Sequence, residues 1–240
     1  GEMPERRRYA LAMISAVDDG LGRIQKQLKR YGILGNTVIF FIGDNGAPLK
    51  IHMEDLPLTH KGGAWDGSLN TPFRGEKGML SEGGIRVPFL MSWPEKLTGG
   101  RVWDIPVSTL DVGATVIESA DLELDSELDG MNLLSLMADT TMARKRPLYW
   151  RHTGQGAIRV GDWKYLRSAE YEYLFNLRED PSENRNLLMK HPELAGSLRT
   201  QWYEWNESLQ RPFTGILTNE QIKWYAHYFG QQEKDAKLPD

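Results

Sequence analysis

Two groups of residues in this chain have the types and spacing to do chemistry. In the first, the apolar run TVIFFIG breaks off in Asp44-Asn45-Gly46. Adjacent Asp and Asn side chains at the end of a strand offer hard oxygens, which suit Ca2+ or Mg2+. Two oxygens do not complete a calcium shell, so further ligands have to come from elsewhere. The same triplet has the form of a tight turn, since Asn-Gly is a strong hairpin signal. The following APLKIHMEDLPLTHKGG lacks strand alternation, which weighs against a hairpin. The residues alone leave both readings open. In the second group Arg74 and Lys77 bracket Gly75. Two cations beside flexible backbone form an oxyanion cradle, and a compact ammonium such as Lys77 holds a sulfate or phosphate oxygen as a point charge. His60 sits in the glycine-rich stretch between the groups, where an imidazole can face a substrate.

The elements that must position these residues are legible in the hydrophobic pattern. Tyr9, Met13, Val17, Leu21, Ile24 and Leu28 recur every three or four residues, one face of an amphipathic helix over 6–30. Lys29 and Arg30 suit its negative end, and Gly32 its stop. TVIFFIG reads as a short, wholly buried strand of the kind found centrally in a parallel sheet. Helix, short loop and buried strand form the unit of a doubly wound α/β sheet. Residues 47–84 are irregular and glycine-rich, and a stretch of that length without regular structure is usually functional. IRVPFLMSW predicts a second strand, with Pro88 at an edge or bulge. STLDVGATVIESA predicts a helix in which Ser108 and Asp111 resemble a capping box. DLELDSELDGMN is an acidic, exposed linker. Beyond it RPLYW, AIRV, WKYLR and YEYLFNL predict a small antiparallel sheet, with Gly161-Asp162 as one turn. Leu194, Leu198, Trp202, Trp205 and Leu209 then mark the packing face of a helix, and a short helix and charged tail close the chain.

The bulk numbers exclude several classes. With 240 residues, 40% hydrophobic and 26% charged, this is a globular composition able to bury a sizeable core. A net charge of -4 gives no reason to expect nucleic acid, which would favour a basic face. No apolar run approaches the roughly 20 residues of a membrane span. With no cysteine, disulfides, thiolate metal sites and cysteine nucleophiles are ruled out.

Taken together, these stretches resemble the sulfatase family, arylsulfatase-like members of the alkaline phosphatase superfamily. The family carries an Asp-Asn-Gly after a buried strand, then a run matched here by Pro72, Arg74, Gly75, Lys77, Gly78, Glu82, Gly83, Gly84, Arg86, Pro88, Trp93 and Pro94. AIRVGDWKYL and YLFNLREDPSENRNL resemble its C-terminal subdomain, so that the likeness spans Tyr9 to Leu209. The resemblance implies the C-terminal part of a sulfatase-type α/β sandwich over 1–120, a linker and loop over 121–145, and a subdomain of antiparallel sheet and packing helix over 146–240. It also implies that Asp44 and Asn45 ligate a divalent cation, calcium with magnesium as the alternative. Lys77 would contact the sulfate and the leaving oxygen of a sulfated aryl or saccharide substrate. Arg74, Glu82, Gly83, Gly84 and Arg86 would shape the loop.

The family's nucleophile is a formylglycine made from Cys or Ser in a C/S-x-P-x-R motif, and none is present. Ser92-Trp93-Pro94-Glu95-Lys96 comes nearest, but Lys stands for the required Arg, and the position is that of the family's Trp-Pro after the second strand. The expectation is therefore a C-terminal half, whose partner is an N-terminal half carrying the nucleophile, in the same enzyme or as a separate chain. A truncated, inactive binding or assembly module is one alternative; a phosphate or phosphonate ester hydrolase of the same superfamily is the other. The family implies an exported setting, periplasmic, secreted or lysosomal. Trp65, Trp103 and Trp150 are candidates for stacking on sugar rings, or for packing.

Overall fold

The computed structural model describes residues 3–50, 53–123, 128–210, 219–230 and 232, with residues 219–221 described in backbone only. Helix α1 spans Glu5–Arg30 and stops as expected. Gly32 takes the left-handed conformation at φ 72°, and the N–H groups of Gly32 and Ile33 return to the carbonyls of Lys29 and Leu28. Its apolar stripe is largely uncovered: Tyr9, Met13, Val17 and Ile24 are all more than half exposed, and Ala10 alone of the helix is buried. Arg6 and Arg7 tie its first turn to the loop beyond, on Leu56 O at 2.7 Å and Ser68 Oγ at 3.4 Å.

Strand β1 (Ile39–Ile42) ends at the Asp-Asn-Gly triplet; the short helix α2 (Glu82–Ile85) and strand β2 (Phe89–Ser92) follow the glycine-rich loop. Among the described residues TVIFFIG has no parallel neighbour, and it is not wholly buried. β1 pairs antiparallel with β2, Phe40 opposite Met91 and Phe41 opposite Leu90. The reason is the route of the chain. Gly46 N–H donates to Gly84 O and Gly43 N–H to Pro88 O, so β2 departs from the same end at which β1 arrived. A parallel neighbour would need a crossover to the opposite end. One face of the pair packs through Phe40, Phe89 and Met91; on the other, Phe41 and Leu90 are exposed.

Helix α3 spans Leu110–Ser119, and the Ser108 N–H donates to Asp111 Oδ2 at 2.7 Å, the return arm of the expected capping box. Within 121–145, two short helices form, α4 (Leu133–Ala138) and α5 (Thr140–Lys145). They place Leu133, Leu136 and Ala143 against the packed face of β1 and β2. Buried Asp111 forms a bidentate pair with Arg146 at 2.9 and 2.7 Å, fastening α3 to the end of α5.

The second sheet is a four-stranded antiparallel meander, β3 (Pro147–His152), β4 (Gln155–Val160), β5 (Trp163–Ser168) and β6 (Tyr171–Asn176). Gly161, at φ 58°, turns β4 into β5 as the sequence predicts. Side chains alternate between two cores, as the period of two requires. Ile158, Tyr165 and Leu174 face helix α6 (Pro192–Ser208), with its Leu198 and Trp202. Ala157, Leu166, Tyr173 and Phe175 face Met79 and Leu80 of the glycine-rich loop, together with Tyr225 and Phe229 of helix α7 (Asn219–Phe229). The tryptophan stripe is packing: Trp202 donates to Trp150 O at 3.0 Å, and Trp205 stacks on Tyr149 at 4.8 Å. Gly156 is required there, since a Cβ would stand 2.2 Å from the Trp202 ring. The fold is α/β, with helices on an antiparallel framework. His52, part of the acidic linker and the charged tail lie outside the described residues.

Candidate active site

Asp44 and Asn45 lie on the loop leaving β1, Asp44 exposed and Asn45 half-buried. The Asn45 N–H donates to Asp44 Oδ1 at 2.9 Å, which folds the pair into a tight corner. Gly46 is buried, and its N–H reaches Gly84 O at 2.9 Å. A Cβ at Gly46 would stand 1.7 Å from Gly83 O, so this crossing of two backbones admits glycine alone. The triplet is thus a corner at the end of a strand, not the turn of a hairpin with the residues that follow.

The next residue carries the link to Lys77. Ala47 O accepts the Lys77 N–H at 3.2 Å, so the backbone of the second group is bonded to the loop of the first. Asn70 closes the same junction. It accepts from Ala47 N–H at 3.0 Å, and its amide donates to Ala47 O and to Gly75 O, each at 3.0 Å. Glu76, fully buried, accepts from Leu49 N–H at 2.7 Å and from Tyr228 OH at 3.0 Å. Lys77 itself is exposed and forms no ion pair among the described residues. The structure therefore brings Asp44, Asn45 and Lys77 onto two joined loops. His60 is on the same long segment, exposed, with its N–H on Pro57 O, and among the described residues its imidazole has no polar link to the other three.

Arg74 turns away from this junction. Its guanidinium donates to Tyr228 O and, at 2.6 Å, to Asn184 Oδ1, and it lies over the Phe229 ring at 5.3 Å. Burial lowers its pKa, against the pull of Glu183 and Asp180. Arg86 stacks over Phe73 at 4.5 Å and lies 3.7 Å from Glu82.

The most buried charges stand behind the loops. Lys164 Nζ, fully buried on β5, is 2.9 Å from Glu82 Oε1 and 2.9 Å from Glu183 Oε1; Glu183 Oε2 accepts the Glu82 N–H at 2.8 Å. Burial raises both carboxyl pKa values and cations lower them, with opposite balances. Lys164, Arg159 and Arg86 together hold Glu82 below the ordinary carboxylate range. For Glu183 burial, reinforced by the repulsion of the Glu82 charge, outweighs Lys164 beside it, and its pKa is pushed up to about 7.

Trp65 is buried, its ring 4.4 Å from Lys50 Nζ and its Nε1 on Ser68 O, while Trp103 and Trp150 pack against the cores; all three are packing residues. In the SWPEK stretch Trp93 is buried and Glu95 N–H donates to Gly35 O, a structural use of the segment. Asn70, Glu76, Gln155, Lys164 and Glu183 are polar residues that sequence reasoning missed. Asn70 alone had a signal, standing just ahead of Pro72 of the motif run.

A family model described as Sulfatase matches residues 3–122, and one described as N-sulphoglucosamine sulphohydrolase, C-terminal, matches 75–208. The chain belongs to the sulfatase family. Mouse (Mus musculus) steryl-sulfatase is 40% identical over 126 residues, 52% of this chain and 19% of that protein. Pig (Sus scrofa) N-acetylgalactosamine-6-sulfatase is 33% identical over 162 residues, 67% of this chain and 29% of the relative. The solved structure of Ps i-CgsB superposes with a TM-score of 0.77 at 28% identity, over 98% of this chain and 51% of that one. This sulfatase chain spans about half the length, or less, of these relatives. Among its described residues no group of three or more His, Cys, Asp and Glu side chains is arranged to hold a metal. No described helix is long and apolar enough to cross a membrane.

Proposed function

We propose that this chain forms the cation- and sulfate-binding half of a sulfuric ester hydrolase acting on a sulfated saccharide or aryl ester. The observation that carries the reading is the hydrogen bond from Lys77 N–H to Ala47 O, which sets the sulfate-binding lysine beside the Asp44-Asn45 corner. The donor set suits a hard divalent cation, Ca2+ or Mg2+: a carboxylate and an amide oxygen, adjacent, with Asp44 in no salt bridge among the described residues. Asp44 and Asn45 hold two positions of that cation, and the remaining ligands come from another polypeptide segment. When bound, the cation supplies Lewis-acid polarisation of the sulfate.

Lys77 acts as a point charge on a sulfate oxygen and hydrogen-bonds the leaving oxygen as negative charge builds there. Its stabilisation is greatest in the transition state, as catalysis requires. His60 borders the approach of the substrate. The nucleophile is a formylglycine on the same external segment, part of this enzyme or a separate chain. The Ps i-CgsB relative has also been solved in complex with k-i-k-neocarrahexaose, which supports a saccharide as substrate. The reading places the enzyme in an exported compartment.

The test is turnover by the complete enzyme. EDTA should abolish hydrolysis of 4-nitrophenyl sulfate, and Ca2+ should restore it, with 4-nitrophenyl phosphate turned over far more slowly. Undiminished sulfate hydrolysis without metal would sink the reading. Preferential phosphate turnover would move it to the phosphoesterases.

A further inference from the structure

Lys77 has a backbone anchor on each side, and only one belongs to the candidate site. Before it, Asn70 and Ala47 tie the loop to the Asp44-Asn45 corner. After it, the segment 78–80 meets Gln155, the first residue of β4 and 1% exposed. Gln155 Nε2 donates to Gly78 O at 2.9 Å, and its Oε1 accepts from Leu80 N–H at 3.1 Å. The Tyr225 hydroxyl, fully buried on α7, also donates to that Oε1. The amide thus spans both ends of the three-residue turn that follows Lys77. Met79 and Leu80 are plugged into the core between the sheet and α7, which holds the turn against the amide.

Gly78 has φ 90°, a left-handed conformation that makes this the softest hinge next to Lys77. Its carbonyl is fixed by Gln155. Without that bond the carbonyl side of the Gly78–Met79 peptide is released. Only the Met79 N–H bond to Glu76 O, at 3.0 Å, then still closes the turn around Lys77, so that the four-carbon stem of Lys77 shifts with the loosened hinge. The side chain itself is exposed and forms no ion pair among the described residues, so its aim depends on its backbone. Displacements of about 1 Å at such a position cost on the order of 100-fold in rate.

We propose that Gln155 is a positioning residue: from the C-terminal sheet it fixes the Gly78 hinge and so aims Lys77 at the sulfate. This rests on the sulfatase reading of Lys77, and the experiment separates the two. In the complete enzyme, kcat/KM for 4-nitrophenyl sulfate is compared among wild type, Gln155→Leu, Lys77→Ala and the double variant. Gln155→Glu, which keeps both acceptor bonds but loses the donor to Gly78 O, serves as the second probe should the leucine variant fail to fold. Thermal melting shows that each variant is folded at the assay temperature.

The expected result is a loss of about 10- to 100-fold for Gln155→Leu or Gln155→Glu when Lys77 is present, and less than about twofold in the Lys77→Ala background. Calorimetry with inorganic sulfate should show weaker binding in the same pattern. Equal losses in both backgrounds would assign Gln155 to general stability and overturn the proposal. Should Lys77→Ala retain wild-type turnover, the sulfatase role of Lys77 fails first, and the proposal with it.

Discussion

Phe41 of β1 is 42% exposed and its cross-strand partner Leu90 57%, whereas Ile158, Tyr165, Leu166, Tyr173, Leu174 and Phe175 of the second sheet are all at 0%. The candidate ligands belong to the first region, which has two short strands, one packed face and long connecting loops. The second has four paired strands covered on both faces. A loop-borne site on so slight a framework needs its geometry from elsewhere, because sites are precise when rigid elements support them. Here the support comes from the second sheet. Its Gln155 grips residues 78–80, and its Lys164 grips Glu82, whose helix α2 backs the Gly46 corner through Gly83 and Gly84. On the proposed function, one region carries the chemistry and the other fixes where it occurs.

The largest break in that division should come from Lys164→Met. Glu82 and Glu183 would then lie buried with their common cation gone, and removing one partner of a buried ion pair costs about 3–5 kcal/mol. Urea unfolding should show the midpoint falling steeply. A loss below about 1 kcal/mol would mean that α2 is held by something other than Lys164, with Arg159 of β4, 3.7 Å from Glu82, the first candidate, since a buried pair broken at one end costs several times that.

A smaller effect sharpens the role of Glu183. Its folded pKa of about 7 lies above the ordinary 4.5, so its contribution to stability is fully present below 4.5 and is lost as pH rises through about 7. Glu82 runs the other way: its pKa is lowered, and its contribution is lost as pH falls through the folded value. Glu183→Gln keeps an acceptor for the Glu82 N–H and removes the titration. Melting temperature against pH should therefore decline less between about pH 5 and 7.5 in the variant than in wild type. Parallel profiles would place the titrating group elsewhere.

How far this division is legible in the sequence follows from the kind of contact involved. Local signals suffice for several features. The stop at Gly32, the Ser108–Asp111 box, the Gly161 turn and the Leu198–Trp202 face all depend on neighbours within a few residues. β1 departs from its expected pairing because a short apolar strand has the same pattern in a parallel or an antiparallel pair, and the route of the return loop decides between them. The joining of Asp44, Asn45 and Lys77 followed from a family motif, not from periodicity. Gln155 and Lys164 give no signal at all. A glutamine at a strand end and a lysine inside WKYLR read as solvent-facing, and only partners outside their own strands, Gly78 for the one and Glu82 and Glu183 for the other, make them interior groups.

The least change in stability should come from a residue with a direct proposed part in the site, the cation ligand Asp44. Asp44 is exposed, and its carboxylate accepts from the N–H of Asn45 at 2.9 Å, a bond to its own neighbour that ties it to nothing distant. Its burial and partners predict that Asp44→Ala moves the unfolding free energy by within about 0.5 kcal/mol, the ordinary range for surface positions. Without metal, wild type and variant should melt together. With Ca2+ added to the complete enzyme, wild type should gain melting temperature and the variant should not, because a cation that binds only the folded state stabilises it in proportion to its affinity. Equal gains in both proteins would remove Asp44 from the cation site. A large loss without metal would show that the Asp44 corner belongs to the scaffold, and the separation between chemistry on one region and support from the other would fail at its most exposed point.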